Sequence, residues 1–219
     1  MIGLKRFADQ LLVYRLAQIE LYRKTVQNLL DKALRSSNYS LFVDFGAHAG
    51  EQVVQALPHM DVVAFEPDPR AFVKLTENVD GMNGVIHSAN LNRRAVSTKN
   101  GIARLGYSDK APEKTGGSTL SLSKAGFSGR HGVECPTVDA CDILDSVLSP
   151  ESTIFKIDIE GAEYSVLRRM MKHTKFRKLG LVFVEFHERK LRGRYFLGVF
   201  LTLGLWSRGL TRTRLIEWY

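Results

Sequence analysis

The amino-acid sequence predicts an α/β fold: a mostly parallel central sheet, helices on both of its faces and a helical extension before it. Three observations predict it. Short apolar runs of strand length, at 61–66 (DVVAFE), 153–159 (TIFKIDI) and 181–186 (LVFVEF), alternate with stretches of helical period. Residues 41–51, LFVDFGAHAGE, read as a strand, a glycine turn and the start of a helix. The second apolar run then ends in an acid, Glu66, about twenty residues after Gly46.

The glycine turn is the element that suggests chemistry. Glycine lets the backbone pass close to a bound molecule, and the first amides of the following helix can meet a carboxylate or phosphate. An acid at the offset of Glu66 can accept both hydroxyls of a ribose, so the pair points to a nucleoside-containing cofactor. A dinucleotide needs a glycine where its pyrophosphate nearly touches the chain, and this loop has His48 there, between Ala47 and Ala49. S-adenosylmethionine carries no phosphate. Its amino-acid end needs a partner for the carboxylate and one for the ammonium, which the helix start and Asp44 can provide. The sequence therefore favours S-adenosylmethionine over NAD.

Composition bounds the rest. An apolar content of 44% in 219 residues suits one domain with a real core. Cys135 and Cys141 match no metal spacing and favour a reducing compartment over a disulfide framework. The net charge of +8 is uneven: seven basic and three acidic side chains in 1–38, near balance in 39–187, seven and two in 188–219. Basic ends suit the phosphates of a nucleic acid, an anionic glycan, a peripheral membrane surface or a partner protein, and the charge does not choose among them.

Residues 1–38 form a basic amphipathic extension, with Leu4, Phe7, Leu11, Leu16, Val26 and Leu30 at helical spacing, and 39–219 form the domain proper. The extension is expected to pack on the core or on a second subunit of a homo-oligomer, or to act as a lid over the acceptor. Its longest apolar run, LLVY, is too short for a signal peptide, so a cytoplasmic location is expected. After Glu66, Pro67 and Pro69 force an extended turn before a helix at 70–79. The third strand starts at Val85–Ile86 or lies at 94–97 (RAVS). Short strands are expected at 102–107, 119–122 and 133–138, and KAPEKTGG at 110–117 reads as a disordered or substrate-gated loop, or as plain linker. A helix at 139–148 precedes TIFKIDI, and Glu160–Gly161–Ala162–Glu163 opens the helix after it. The apolar run in 189–206 is too short to span a bilayer, no transmembrane segment is expected, and 211–219 alternates as a final strand.

Open α/β sheets place their chemistry at the carboxyl ends of the strands. That rule gathers Asp158, Glu160, Glu163, Glu185, His187 and Glu188. Methyl transfer to a hydroxyl needs in-line positioning and a group to take the proton. Asp158 is the first candidate for that role, against the alternative of a carboxylate capping the next helix. His187 is the second, and Glu185 stands beside them; Glu163 is sufficiently explained by the helix dipole. Asp158, Glu160, Glu185 and Glu188 offer oxygen ligands to a divalent metal such as Mg²⁺ or Mn²⁺, at no diagnostic spacing.

The segments FVDFGAHAGE, AFEPDPRAFVKLTEN, FKIDIEGAEYSVL and VFVEFHE, in that order over roughly 41–188, resemble the FkbM family of S-adenosylmethionine-dependent methyltransferases. The resemblance implies a Rossmann-like class I methyltransferase fold and O-methylation of hydroxyls, often on sugars or glycosylated natural products. It also implies that Asp44, Gly46 and Gly50 hold the methionine end of the cofactor, Glu66 the ribose, and that Ala95 lies near the adenine. Asp158 would face the methyl group. His48 departs from the asparagine often found there in the family. The expected partner is a hydroxylated small molecule or glycan. Nucleic acid is disfavoured, because no Asn/Asp-Pro-Pro-aromatic segment is present, although ribose methylation of RNA stays open. A non-catalytic S-adenosylmethionine-binding module is the remaining alternative.

Overall fold

The computed structural model describes residues 24–84, 87–115, 118–120, 130–187 and 214–218. Its centre is a six-stranded sheet of order β3-β2-β1-β7-β8-β9. The strands are β1 (Leu41–Phe45), β2 (Asp61–Phe65), β3 (Ala89–Asn92), β7 (Thr153–Ile157), β8 (Leu181–Glu185) and β9 (Arg214–Trp218). Every neighbouring pair is parallel. From β1 the chain steps outward through β2 to β3, then returns to β7 on the other side of β1 and steps outward again. Strand order thus reverses between β1 and β7, and such a reversal opens a crevice beyond the strand ends.

Side chains alternate across the sheet, as a two-residue period requires. Val43, Phe45, Phe155, Ile157, Val182 and Val184 face one apolar layer, shared with α4 (Ala140–Ser146) and α5 (Glu163–Met170). Phe42, Ala64, Ile154 and Phe183 face the other, shared with α1 (24–34), α2 (Glu51–Ala56) and α3 (Pro69–Asp80). The expected helices on both faces are present. Phe45 joins neighbouring strands, meeting Phe65 and Phe155 edge-on at centroid distances of 5.7 and 5.5 Å. A second sheet, β4-β6-β5, contains β4 (Ala95–Ser97), β5 (Gly101–Gly106) and β6 (Gly132–Asp139). Leu148, in the connection leading into β7 at the amino-terminal rim of the main sheet, is 92% exposed.

Several expectations need correction. The third strand of the main sheet is Ala89–Asn92, and 94–97 instead begins the second sheet as β4. β3 escapes a hydrophobicity reading because it is a partly exposed edge strand of polar composition, ANLN. Val85 and Ile86 lie outside the described residues. The helix after TIFKIDI starts at Glu163 rather than Glu160, since Glu160 and Gly161 have φ of 53° and 110°, outside helical geometry. Its N-cap is Ala162, with no side-chain cap, so Asp158 does not cap it.

Of the extension, 1–23 lies outside the described residues. α1 buries Val26, Leu30 and Leu34 in the core. Glu188 and 189–206 also lie outside, whereas the final strand appears as β9. Among the described residues no helix is long and apolar enough to cross a membrane.

Candidate active site

A cavity of about 340 Å³ opens at the carboxyl ends of β1, β2, β7 and β8, where strand order reverses. Its walls include Gly46, His48, Glu66, Ala95, Asp158 and Glu185, and Gln27 of α1 also reaches it. Seven of the residues singled out in the sequence, Glu160 included, therefore line one space. Asp44, Gly50 and His187 stand behind its walls.

The glycine turn is bound tightly to the end of β2. The amides of Gly46 and Ala47 both donate to the Phe65 carbonyl, at 2.9 and 3.0 Å. Gly46 has φ of 90°, and a Cβ there would lie 1.8 Å from the Asp158 carbonyl oxygen. Only glycine lets β1 and β7 end so close together. Gly50, at φ 83°, caps α2 and abuts Leu75, so its requirement comes from the turn and from packing.

Glu66 is fixed from two sides. His48 N donates to its Oε2 at 2.8 Å and Asp68 N to its Oε1 at 2.8 Å. Each oxygen keeps a lone pair for a further donor. Burial pushes this carboxyl up to about 7, against the two amides.

His48 has φ of 50°, and its Nε2 lies 2.9 Å from Thr115 Oγ1. Arg70 donates to the carbonyls of Pro112 at 2.7 Å and Lys114 at 3.4 Å, and Ser118 Oγ to Asp68 at 3.0 Å. The stretch expected to be a disordered or gated loop is, over 110–115, tied to the start of α3 and to the glycine turn.

Beneath the turn lies a charged pair that the sequence did not reveal. Lys156 Nζ donates to Asp44 Oδ1 at 3.0 Å and to the Gly46 carbonyl at 3.1 Å, and lies 3.6 Å from Asp158 Oδ2. Burial pushes the Asp44 carboxyl up, with Lys156 opposing. At Lys156 burial also works against charge, but Asp44 and Asp158 outweigh it and hold the ammonium protonated above its usual range. Among the described residues Asp44 Oδ2 has no hydrogen-bond partner. A lysine inside an otherwise apolar strand was the available signal, since a buried charge needs a partner.

Past the ends of β7 and β8 four carboxylates converge on His187. Glu163 Oε1 accepts from Nδ1 at 2.8 Å, while Glu160, Glu185 and Asp158 lie 3.3, 3.7 and 3.8 Å from Nε2. Burial opposes a charged imidazole here, yet the Glu163 bond and the surrounding carboxylates raise its pKa above the usual value. Glu163 is fully buried and also accepts from Gly161 N at 3.0 and 2.9 Å. The helix dipole alone does not account for it.

The profile of the FkbM methyltransferase domain matches residues 44–209, most of the chain. The chain belongs to the FkbM methyltransferase family. As an FkbM methyltransferase it carries the mostly parallel α/β fold expected of a Rossmann-like enzyme. It is similar to a hexuronic acid methyltransferase, AglP, of Haloferax volcanii, with 25% identity over 181 residues, covering 80% of this chain and 66% of that protein. No solved structure matches the chain.

Proposed function

We propose that this FkbM methyltransferase moves a methyl group from S-adenosylmethionine to a hydroxyl oxygen of a sugar or glycan. One observation carries the reading: the buried Glu66 carboxylate, pinned by the amides of His48 and Asp68, lines the same cavity as Asp158. In the parallel sheet those residues follow β2 and β7, two strand spacings apart, or about 10 Å. That separation suits a ribose at one side and a reacting centre at the other.

The donor set fits such a cofactor. The two open lone pairs of Glu66 match a vicinal diol, and Ala95 gives a small apolar wall for an adenine. The amides of Gly46, Ala47 and His48 are taken up by β2 and Glu66, so the amino-acid end falls to other groups. Lys156 is a fixed cation on the wall for its carboxylate, with Asp44 as the support that holds the lysine in place. When bound, the cofactor would supply an electrophilic methyl carbon and leave as S-adenosylhomocysteine once its methyl–sulfur bond breaks. The chain's own residues do the rest: Asp158 positions the acceptor hydroxyl and takes its proton as the new C–O bond forms. Glu185 and His187 shape the acceptor side, with His187 held by Glu163.

The relative from Haloferax volcanii supports a uronic acid or related sugar as the acceptor class. The test is direct. Purified full chain is incubated with methyl-labelled S-adenosylmethionine and a panel of hexuronic acids, neutral sugars and oligosaccharides, with an RNA substrate alongside. Label on a sugar oxygen supports the reading. Label on RNA alone, or S-adenosylmethionine bound without transfer to any hydroxyl, overturns it.

A further inference from the structure

The cluster around His187 has a geometry that methyl transfer by itself does not require. Glu163 accepts hydrogen bonds from Gly161 N and, at 3.3 Å, from Ile159 N, and its Oε1 lies 2.8 Å from His187 Nδ1. A carboxylate that already accepts from backbone amides is an acceptor only, so Nδ1 carries the proton it receives. The other ring nitrogen, on a side chain 3% exposed, therefore aims at three carboxylates, Glu160, Glu185 and Asp158. Glu160 Oε2 is the nearest of them to Nε2, at 3.3 Å.

This is the arrangement of a metal-ligating histidine oriented by a carboxylate behind it. Two ligands about 2.1 Å from one ion and 90–120° apart are separated by about 3.0–3.6 Å. The distances from Nε2, 3.3 to 3.8 Å, sit within or just above that range. One ligand atom each from Asp158, Glu185 and His187 lies within 4.8 Å of the other two.

We propose that His187, Asp158 and Glu185 form a site for a divalent cation, with Glu163 orienting the histidine behind it. Carboxylates with one imidazole favour Mn²⁺ over Mg²⁺, which keeps its waters and prefers oxygen alone. Asp158 and Glu185 line the cavity, so the ion's remaining positions face the space where an acceptor sits. There it would hold neighbouring oxygens of a sugar. Only that role rests on the methyl-transfer reading; the binding of the ion does not.

The test needs neither cofactor nor acceptor, so its failure and the failure of the methyl-transfer reading are distinguishable. Chelator-stripped full chain is titrated with Mn²⁺, with free Mn²⁺ read by paramagnetic resonance and melting followed in parallel. The expected result is one ion per chain, a raised Tm, and affinity at least tenfold weaker in Glu185→Gln and in His187→Gln. Glu163→Gln is expected to weaken binding without removing a ligand. Should His187→Gln fail to fold, Glu185→Gln at the cavity wall decides. Weak binding of several ions, none below millimolar, or affinity unchanged in the folded variants overturns the site.

Discussion

Asp44 and Lys156 are register partners across the β1–β7 ladder, and their side chains meet at 3.0 Å on the side of the sheet that carries α1 to α3. They stand where the strand order reverses, so the pair sets the floor of the cavity.

Removing one member leaves the other charged and buried. Lys156→Met is expected to lower stability by about 3–5 kcal/mol, whereas Asp44→Leu with Lys156→Met should recover most of it. Urea unfolding of the parent and the two variants measures this. A single variant as stable as the parent would show that the pair contributes nothing to the fold.

The Glu66 carboxyl, raised to about 7, gives the proposed cofactor site a pH dependence. A diol donates best to the ionised form, so binding releases a proton and tightens as pH rises through 7. From pH 6 to pH 8 the ionised fraction grows about tenfold, and S-adenosylhomocysteine affinity should grow with it. The sign for folding is opposite. A carboxyl whose folded pKa is raised from 4.5 loses stability as pH climbs from about 4.5 to 7. Calorimetry on the parent and Glu66→Gln separates these effects; a pH slope that persists in the variant belongs to another group.

Asp158→Asn keeps the size and the backbone contact to Gly46. It should bind S-adenosylhomocysteine nearly as well as the parent and lose on the order of a hundred-fold in turnover. Near-parental turnover in a single-turnover assay would remove Asp158 from proton transfer.

Gly46→Ala places a Cβ on the Asp158 carbonyl at a φ of 90°. The loss should be at least about 3 kcal/mol, with cofactor binding lost before folding as β1 and β7 are pushed apart. Gly84→Ala, also at positive φ but with open space around it, is the control for conformational strain alone.

Much of the frame was legible in the sequence because parallel strands buried on both faces read as unbroken apolar runs. LFVDF, DVVAF, TIFKI and LVFVE all became central strands, and Glu66 and Asp158 fell at their ends. ANLN hid because an edge strand with few buried side chains carries no such signal. Lys156 and Asp44 are 112 residues apart, and only register shows that they meet. Glu163 was legible as a first-turn acid but not as the partner of His187, because the two are 24 residues apart and only the fold brings them together.

Every side chain assigned a role sits at the carboxyl rim of the main sheet, and Leu148 stands exposed at the other. The two native cysteines, Cys135 and Cys141, are both buried. A cysteine introduced at position 148 would therefore be a selective attachment point for a fluorophore or a sensor surface. Tethered there, the molecule would present its cavity to solution in one uniform orientation.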